Sequence, residues 1–275
     1  MKVYLMSDLE GASEVVRFDN RKSLFSSFYS KNSIYKDIEH LTTDILAAIE
    51  GAVDAGATEI IVCDGHGNKS VLGDRLPSLA RLAPRGSEWM PLLDESFNAL
   101  LMVGFHAKAG AERALLSHTF SRRIRDVQLN NRSVGEIEIC ALYAGALGIP
   151  GVFISGDDRA VNEAKMIIPD IEAATVKFSQ SRLCADCLPA NETYTLIREG
   201  VYRAIKRCEK IMPLVPKPPF KLSRIYRLPG IALLRNYKSG PYPNVSVGLY
   251  RQDYEDTDFL SLMNNFFGYR GYSRV

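Results

Sequence analysis

Two histidines stand directly after two strand-like runs: His66 in Cys63-Asp64-Gly65-His66-Gly67 and His106 in Val103-Gly104-Phe105-His106. The first strand-like run ends in the same manner, in Ser7-Asp8-Leu9-Glu10-Gly11. In open α/β sheets ligands bind at the carboxyl ends of the strands, so these three stretches point to one place. Asp8 and Glu10 are two apart, which in an extended chain puts both carboxylates on one face. Two acids on one face repel unless something positive lies between them, and a divalent cation meets that need. A further acid, Glu136, opens a helical pattern after a tight turn. Imidazole with carboxylate suits zinc, with manganese and iron as the other metals that accept the set. Five such donors, one carboxylate bridging, fit two metals about 3.5–4 Å apart, the arrangement of two-metal hydrolases.

Each residue taken singly also has a plainer reading. Acids at strand ends are common turn residues, a histidine between two glycines can serve a turn, and an acid at a helix start complements the dipole. The set carries more than its members. His118, after Leu116-Ser117, is another candidate for chemistry, whereas His40 lies within a long helical pattern and reads as a surface or packing residue. Cys184-Ala185-Asp186-Cys187 is a CxxC without a second pair and reads as two free thiols. Gly65-His66-Gly67-Asn68-Lys69-Ser70 lacks the spacer of a phosphate loop. No G-x-S-x-G or H-E-x-x-H occurs, which disfavours a serine hydrolase or a thermolysin-like protease.

Elements in the right order must position these residues. Val3–Met6, Glu59–Cys63, Leu100–Gly104 and Gly151–Ser155 read as strands. Helical periodicity runs over Ile34–Ala55, with Ser33 as cap, over Glu136–Leu147, and over Asp158–Ile167, with Asp157 as cap. Asp126–Asn130, Asn131-Arg132 and Ser133 onward read as a hairpin. Such alternation predicts an α/β fold with a largely parallel sheet flanked by helices. Asn191–Ile211 reads as one long helix, and the prolines at 213, 216, 218 and 219 then mark a soft boundary. Beyond them come strand-like runs at Lys221–Tyr226, Ile231–Asn236 and Val245–Tyr250 and a closing helix within Asp256–Phe267. The expected organisation is a catalytic domain over residues 1–212 and a smaller C-terminal α+β lobe over 213–275.

The chain has 275 residues, 46% of them hydrophobic and 24% charged, which is ordinary globular composition. Its formal net charge of +2 excludes nucleic acid or an anionic membrane as the main partner, and the short aromatic, basic stretch Tyr269, Arg270, Tyr272, Arg274 does not change that. Ile139–Gly156 is uncharged over 18 residues but carries Gly145, Gly148, Pro150 and Gly151, so it reads as helix, loop and buried strand rather than a membrane span. Met1-Lys2 runs at once into a strand and acids, which predicts no secretory signal and a cytoplasmic location, and the odd number of cysteines, five, fits reduced thiols.

At these residues the chain resembles the DppA-type D-aminopeptidases, a family of dinuclear zinc peptidases. The resemblance rests on Ser7-Asp8-Leu9-Glu10-Gly11, Asp64-Gly65-His66, Gly104-Phe105-His106-Ala107, Ser117-His118, Asn131-Arg132-Ser133-Val134-Gly135-Glu136 and Gly156-Asp157-Asp158-Arg159-Ala160, in order over residues 1 to about 188. It implies that Asp8 bridges two zinc ions per chain, that Glu10 and His106 complete one site, and that His66 and Glu136 complete the other. It also implies that His118 is the catalytic histidine, suited to donating a proton to the leaving amine or stabilising the oxyanion. The family fold is α/β, and its members form rings that enclose their active sites. The resulting expectation is a cytoplasmic metallo-aminopeptidase that removes N-terminal residues, D-Ala first, from short peptides. A ring-shaped homo-oligomer is expected, with a decamer as its first expected size. Two alternatives stay open: a dinuclear hydrolase of another amide or a phosphoester, and a non-catalytic, metal-containing, ring-forming binding protein.

Overall fold

Runs such as Val3–Met6, Ile60–Cys63 and Leu100–Val103 are apolar without alternation, and strands of that kind must be covered on both faces. A computed structural model of the protein, which describes residues 1–19, 31–67, 69–84, 86, 88–234 and 245–269, places them at the centre of a seven-stranded sheet. Its strands are β1 (Lys2–Ser7), β2 (Glu59–Asp64), β3 (Ala80–Leu82), β4 (Ala99–Phe105), β7 (Gly151–Asp157), β8 (Glu172–Ser181) and β9 (Cys184–Cys187), in the order β3-β2-β1-β4-β7-β8-β9. All neighbours are parallel except the edge strand β9, which carries the CxxC and runs antiparallel to β8. Helix α1 (Lys31–Asp54) packs on α4 (Ala190–Lys206), and α2 (Glu136–Gly145) packs on α3 (Asp158–Ile167). The two pairs cover the same central strands and so lie on opposite faces. No helix among the described residues is long and apolar enough to cross a membrane.

A second sheet is entirely antiparallel, in the order β11-β12-β10-β5-β6. Its strands are β5 (Ile124–Leu129), β6 (Arg132–Ser133), β10 (Phe220–Tyr226), β11 (Val245–Val247) and β12 (Arg251–Asp256). The expected hairpin is β5–β6, turning through Asn130 and Asn131, both at positive φ. Because β5 pairs with β10, the sheet is built from both sides of the proline cluster, so a boundary at residue 213 does not separate the two sheets. Helix α5 (Phe259–Phe267) packs on β10 and β12 and touches α2.

One local expectation is met by hydrogen bonds. Asp157 caps α3 as expected, by accepting from the amides of Arg159 and Ala160; Asp258, not singled out beforehand, caps α5 through the amide of Ser261. Others differ. Helix α1 starts at Lys31, so Ser33 lies inside it and not at its cap. The Ile231–Asn236 run, read as a strand, is helical over 231–234, and its last two residues lie outside the described ones, as do Arg270, Tyr272 and Arg274. Strand β12 lacks a strand-like apolar alternation, since Tyr254 is its one apolar residue and Gln252 is buried beside it.

Helix α3 carries one titratable group whose setting predicts a pH effect. Glu163 is buried; its Oε2 accepts the amide of Lys108 at 2.9 Å, while Oε1 has no partner. Burial pushes this carboxyl up from 4.5 to about 7. A folded-state value above the unfolded one means that the acid favours the fold at low pH and loses that contribution as pH rises through about 7. Glu163→Gln keeps the acceptor and removes the titration. Its stability relative to wild type should therefore rise by roughly 2–3 kcal/mol between about pH 4 and pH 8, read by urea unfolding. A pH-independent difference would show that Glu163 titrates alike in the folded and unfolded chain.

Candidate metal centre

The ends of β1, β2 and β4 lie side by side, and the loops that leave them carry the predicted donors. The turn after β1 presses onto the end of β4. The amide of Asp8 donates to Val103 O and that of Gly11 to Gly104 O, each at 2.8 Å. A Cβ on Gly11 would stand 1.8 Å from Phe105 O, and Gly104 has φ +77° with its own added Cβ 2.2 Å from Asp8 O. Only glycine at both positions permits the approach. After β2, Asp64 accepts the amides of Gly67 and Ser70 and so shapes the turn that presents His66. Glu136 is the first residue of α2, and its Oε1 accepts the amide of Phe120 at 2.7 Å.

The structure brings all five predicted donors and His118 together. His66 Nδ1 lies 3.0 Å from Glu10 Oε2 and 3.4 Å from Asp8 Oδ1. His106 Nε2 lies 3.2 Å from Asp8 Oδ2 and 3.4 Å from Glu136 Oε1. The donors form three overlapping triads: Asp8 with Glu10 and His66, Asp8 with His106 and Glu136, and Glu10 with His106 and His118. Glu10 and His106, which the resemblance puts in one site, share the last of these triads.

A cation fits this arrangement. The other ring nitrogen of each imidazole already faces an oxygen: His106 Nδ1 is 2.9 Å from Ala107 O, and His66 Nε2 is 3.2 Å from Asp19 Oδ2. Those acceptors place the ring protons there and turn the remaining lone pairs toward the carboxylates. Asp8 Oδ2 and His106 Nε2 are both buried, face each other, and have no hydrogen-bond partner. Two acceptors held so close and dry are a cost unless a positive ion joins them. Without an ion, burial opposes the charge on Asp8, yet the flanking imidazoles of His106 and His66 hold its carboxyl well below the ordinary range. Glu10 behaves alike: burial and Asp8 raise it, and His66 and His118 bring the net value down. Burial disfavours protonation of both imidazoles, and the surrounding carboxylates override it and push them up.

His118 stacks on His106, with ring centroids 4.2 Å apart and planes 10° from parallel. Its Nδ1 is 2.9 Å from Leu116 O, which leaves Nε2 directed to the site, 3.9 Å from Glu10 Oε1. His40 is remote from the cluster, beside Glu14. The centre opens into a cavity of about 590 Å³ whose other wall comes from the second sheet and α5.

Two residues that matter here escaped the sequence reading. Asp19 orients His66, and only its nearness to Glu10 along the chain could have suggested it. Lys177 on β8 is fully buried and donates to the carbonyls of Glu10, Ala12 and Val15 at 2.8, 2.6 and 2.5 Å. Burial lowers its ammonium to about 8, so it stays mainly protonated at neutral pH and holds the loop that bears Asp8 and Glu10.

The family model described as D-aminopeptidase matches residues 1–236. The D-aminopeptidase of Bacillus subtilis (strain 168) is 29% identical over 220 residues, which are 78% of this chain and 78% of that protein. Among solved structures, the Zn-dependent D-aminopeptidase DppA from Bacillus subtilis, a self-compartmentalizing protease, is similar over 100% of both chains, with a TM-score of 0.86 at 26% identity.

Replacing the two residues that support the cluster should separate its parts. Asp19→Asn should weaken zinc binding by about 10- to 100-fold with little change in unfolding, read by competition with a chromogenic chelator. Lys177→Met strips three buried carbonyls of their donor and should cost about 2–4 kcal/mol in denaturant unfolding, with weaker metal retention besides. Wild-type stability in that variant would mean that the loop holds itself.

Proposed function

The chain belongs to the D-aminopeptidase family, and from that premise we propose that it is a zinc-dependent metallo-aminopeptidase that releases N-terminal D-amino acids, D-Ala first, from short peptides. The observation that carries the reading is the pair of donor triads sharing Asp8, with two facing buried atoms left without partners. Asp8 would lie between two zinc ions, with Glu10 and His106 holding one and His66 and Glu136 the other. Bound there, the ions would supply Lewis acidity to a scissile carbonyl and to water.

The chain's own groups do the rest. The Leu116 carbonyl fixes the tautomer of His118, so that Nε2 is the atom that takes up a proton and returns it to the leaving amine. Stacking on His106 holds the ring in place. Phe18, Trp89 and Phe120 line the cavity and limit the water that reaches the centre. Asp19 and the Ala107 carbonyl keep His66 and His106 in the ligating orientation.

The chain would work in the cytoplasm as a ring-shaped homo-oligomer, with ten subunits as the expected size. Support for assembly comes from the self-compartmentalizing relative and from exposed Leu228, Leu233, Leu234 and Leu249 near one end of the second sheet.

The test is zinc stoichiometry together with D-Ala release from D-Ala-D-Ala, before chelation, after it, and after zinc is restored. About two zinc ions per chain and chelator-sensitive, zinc-restored release are expected. Asp8→Ala should lose both ions and activity, whereas His118→Gln should keep the zinc and lose about 10²–10⁴-fold in kcat. Two zinc ions without release from any D-peptide would overturn the peptidase reading and favour another hydrolase, and full ligation with no turnover of amides or phosphoesters would favour a binding protein.

A further inference from the structure

The cavity wall opposite the metal centre holds a buried cation that the chemistry above does not use. Arg224 lies on β10, the middle strand of the second sheet, opposite Gln252 on β12 and Val127 on β5. It is 9% exposed and lines the same cavity as Asp8, Glu10, His66, His118 and Glu136. Its Nη2 donates to Phe266 O at 2.6 Å, and Nη1 reaches the hydroxyls of Tyr226 and Tyr254 at 3.4 Å each. The guanidinium carbon stands 3.9 Å from the centroid of the Phe266 ring. Its Nε is buried and has no hydrogen-bond partner.

No carboxylate lies in ion-pair range of Arg224 among the described residues. A buried guanidinium held only by neutral groups is costly, and the aromatic face offsets only part of that cost. The guanidinium fork is nevertheless fixed by these contacts, and the residue lines the cavity. Such a fork matches a carboxylate in shape and charge. The other arginine that lines the cavity, Arg122, is exposed at its rim and stands over Phe18.

We infer that Arg224 binds the free α-carboxylate of the peptide substrate, which makes di- and tripeptides with an unblocked C-terminus the substrate class. The inference rests on the aminopeptidase reading, because it needs the scissile bond at the metal donors. A peptide residue spans about 3.5 Å, and a cavity of this volume holds a chain of two or three residues. A longer peptide would have to place backbone where the cavity ends, and a blocked one would leave the guanidinium without its anion.

Zinc-loaded wild type, Arg224→Gln, Arg224→Lys and Arg122→Gln are compared on D-Ala-D-Ala and on its C-terminal amide. Wild type should prefer the free acid. Arg224→Gln should lose about 10²-fold in kcat/KM on the acid, mostly through KM, and change little on the amide, so that the preference disappears. Arg224→Lys, which keeps the charge, should recover part of it. Equal losses on acid and amide in Arg224→Gln would overturn the inference and leave Arg224 as a support for α5. Loss of the preference in Arg122→Gln instead would overturn it in favour of the rim. Should Arg224→Gln not fold, wild-type inhibition by N-acetyl-D-Ala against its amide decides, and equal inhibition overturns the inference. Turnover by wild type without regard to the C-terminus overturns this inference alone, whereas turnover of neither peptide with zinc bound overturns the aminopeptidase reading and this inference with it.

Discussion

Three buried or half-buried carboxylates, with a fourth from Asp19 behind them, crowd around two imidazoles at the ends of three parallel strands. Left alone, that concentration of charge would push the loops apart. Each feature around it can be understood as a means of holding it together. The Lys177 ammonium gathers the carbonyls of the Asp8–Val15 turn from below. Glycines at 11 and 104 let two backbones meet where any side chain would collide. Backbone carbonyls and Asp19 decide which imidazole nitrogen carries the proton. Dipoles and one buried cation supply part of the compensation, and divalent metal is what completes it.

The parallel sheet is also what makes the centre possible. Strands from distant parts of the chain end at one level, so donors separated by more than a hundred residues meet without long loops. The antiparallel sheet does different work. Its first hairpin leaves the chain between β4 and α2, and its other strands return from the C-terminal part to pair with it. This crossing ties the cavity's two walls to one another, so the second wall is not an appendage hung on a finished domain.

Much of this was legible in the residues. The apolar runs of β1, β2, β4 and β7, the cap at Asp157 and the helix start at Glu136 follow directly from pattern. Asp8, Glu10, His66, His106 and Glu136 stood out because strand ends are where an α/β sheet presents ligands. Lys177 was hidden because a lysine in a polar-looking strand, Glu172–Ser181, resembles a solvated one until the loop above it is in place. Strand β12 was hidden by its charged face, and the shared second sheet by pairing between segments almost a hundred residues apart. The Ile231–Asn236 run has strand composition, yet its described part turns as helix after Gly230, a case of local context outweighing propensity.

The crossing of β5 with β10 has a consequence for how such a protein can change over time. One sheet retains the ions, and a different sheet, built largely from a separate stretch of chain, shapes what approaches them. Substitutions in β10 or β12 alter the ceiling, whereas the floor's donors follow β1, β2 and β4 and open α2. A lineage carrying this fold can thus exchange its diet while keeping its chemistry, since the two inheritances are written in different parts of the chain.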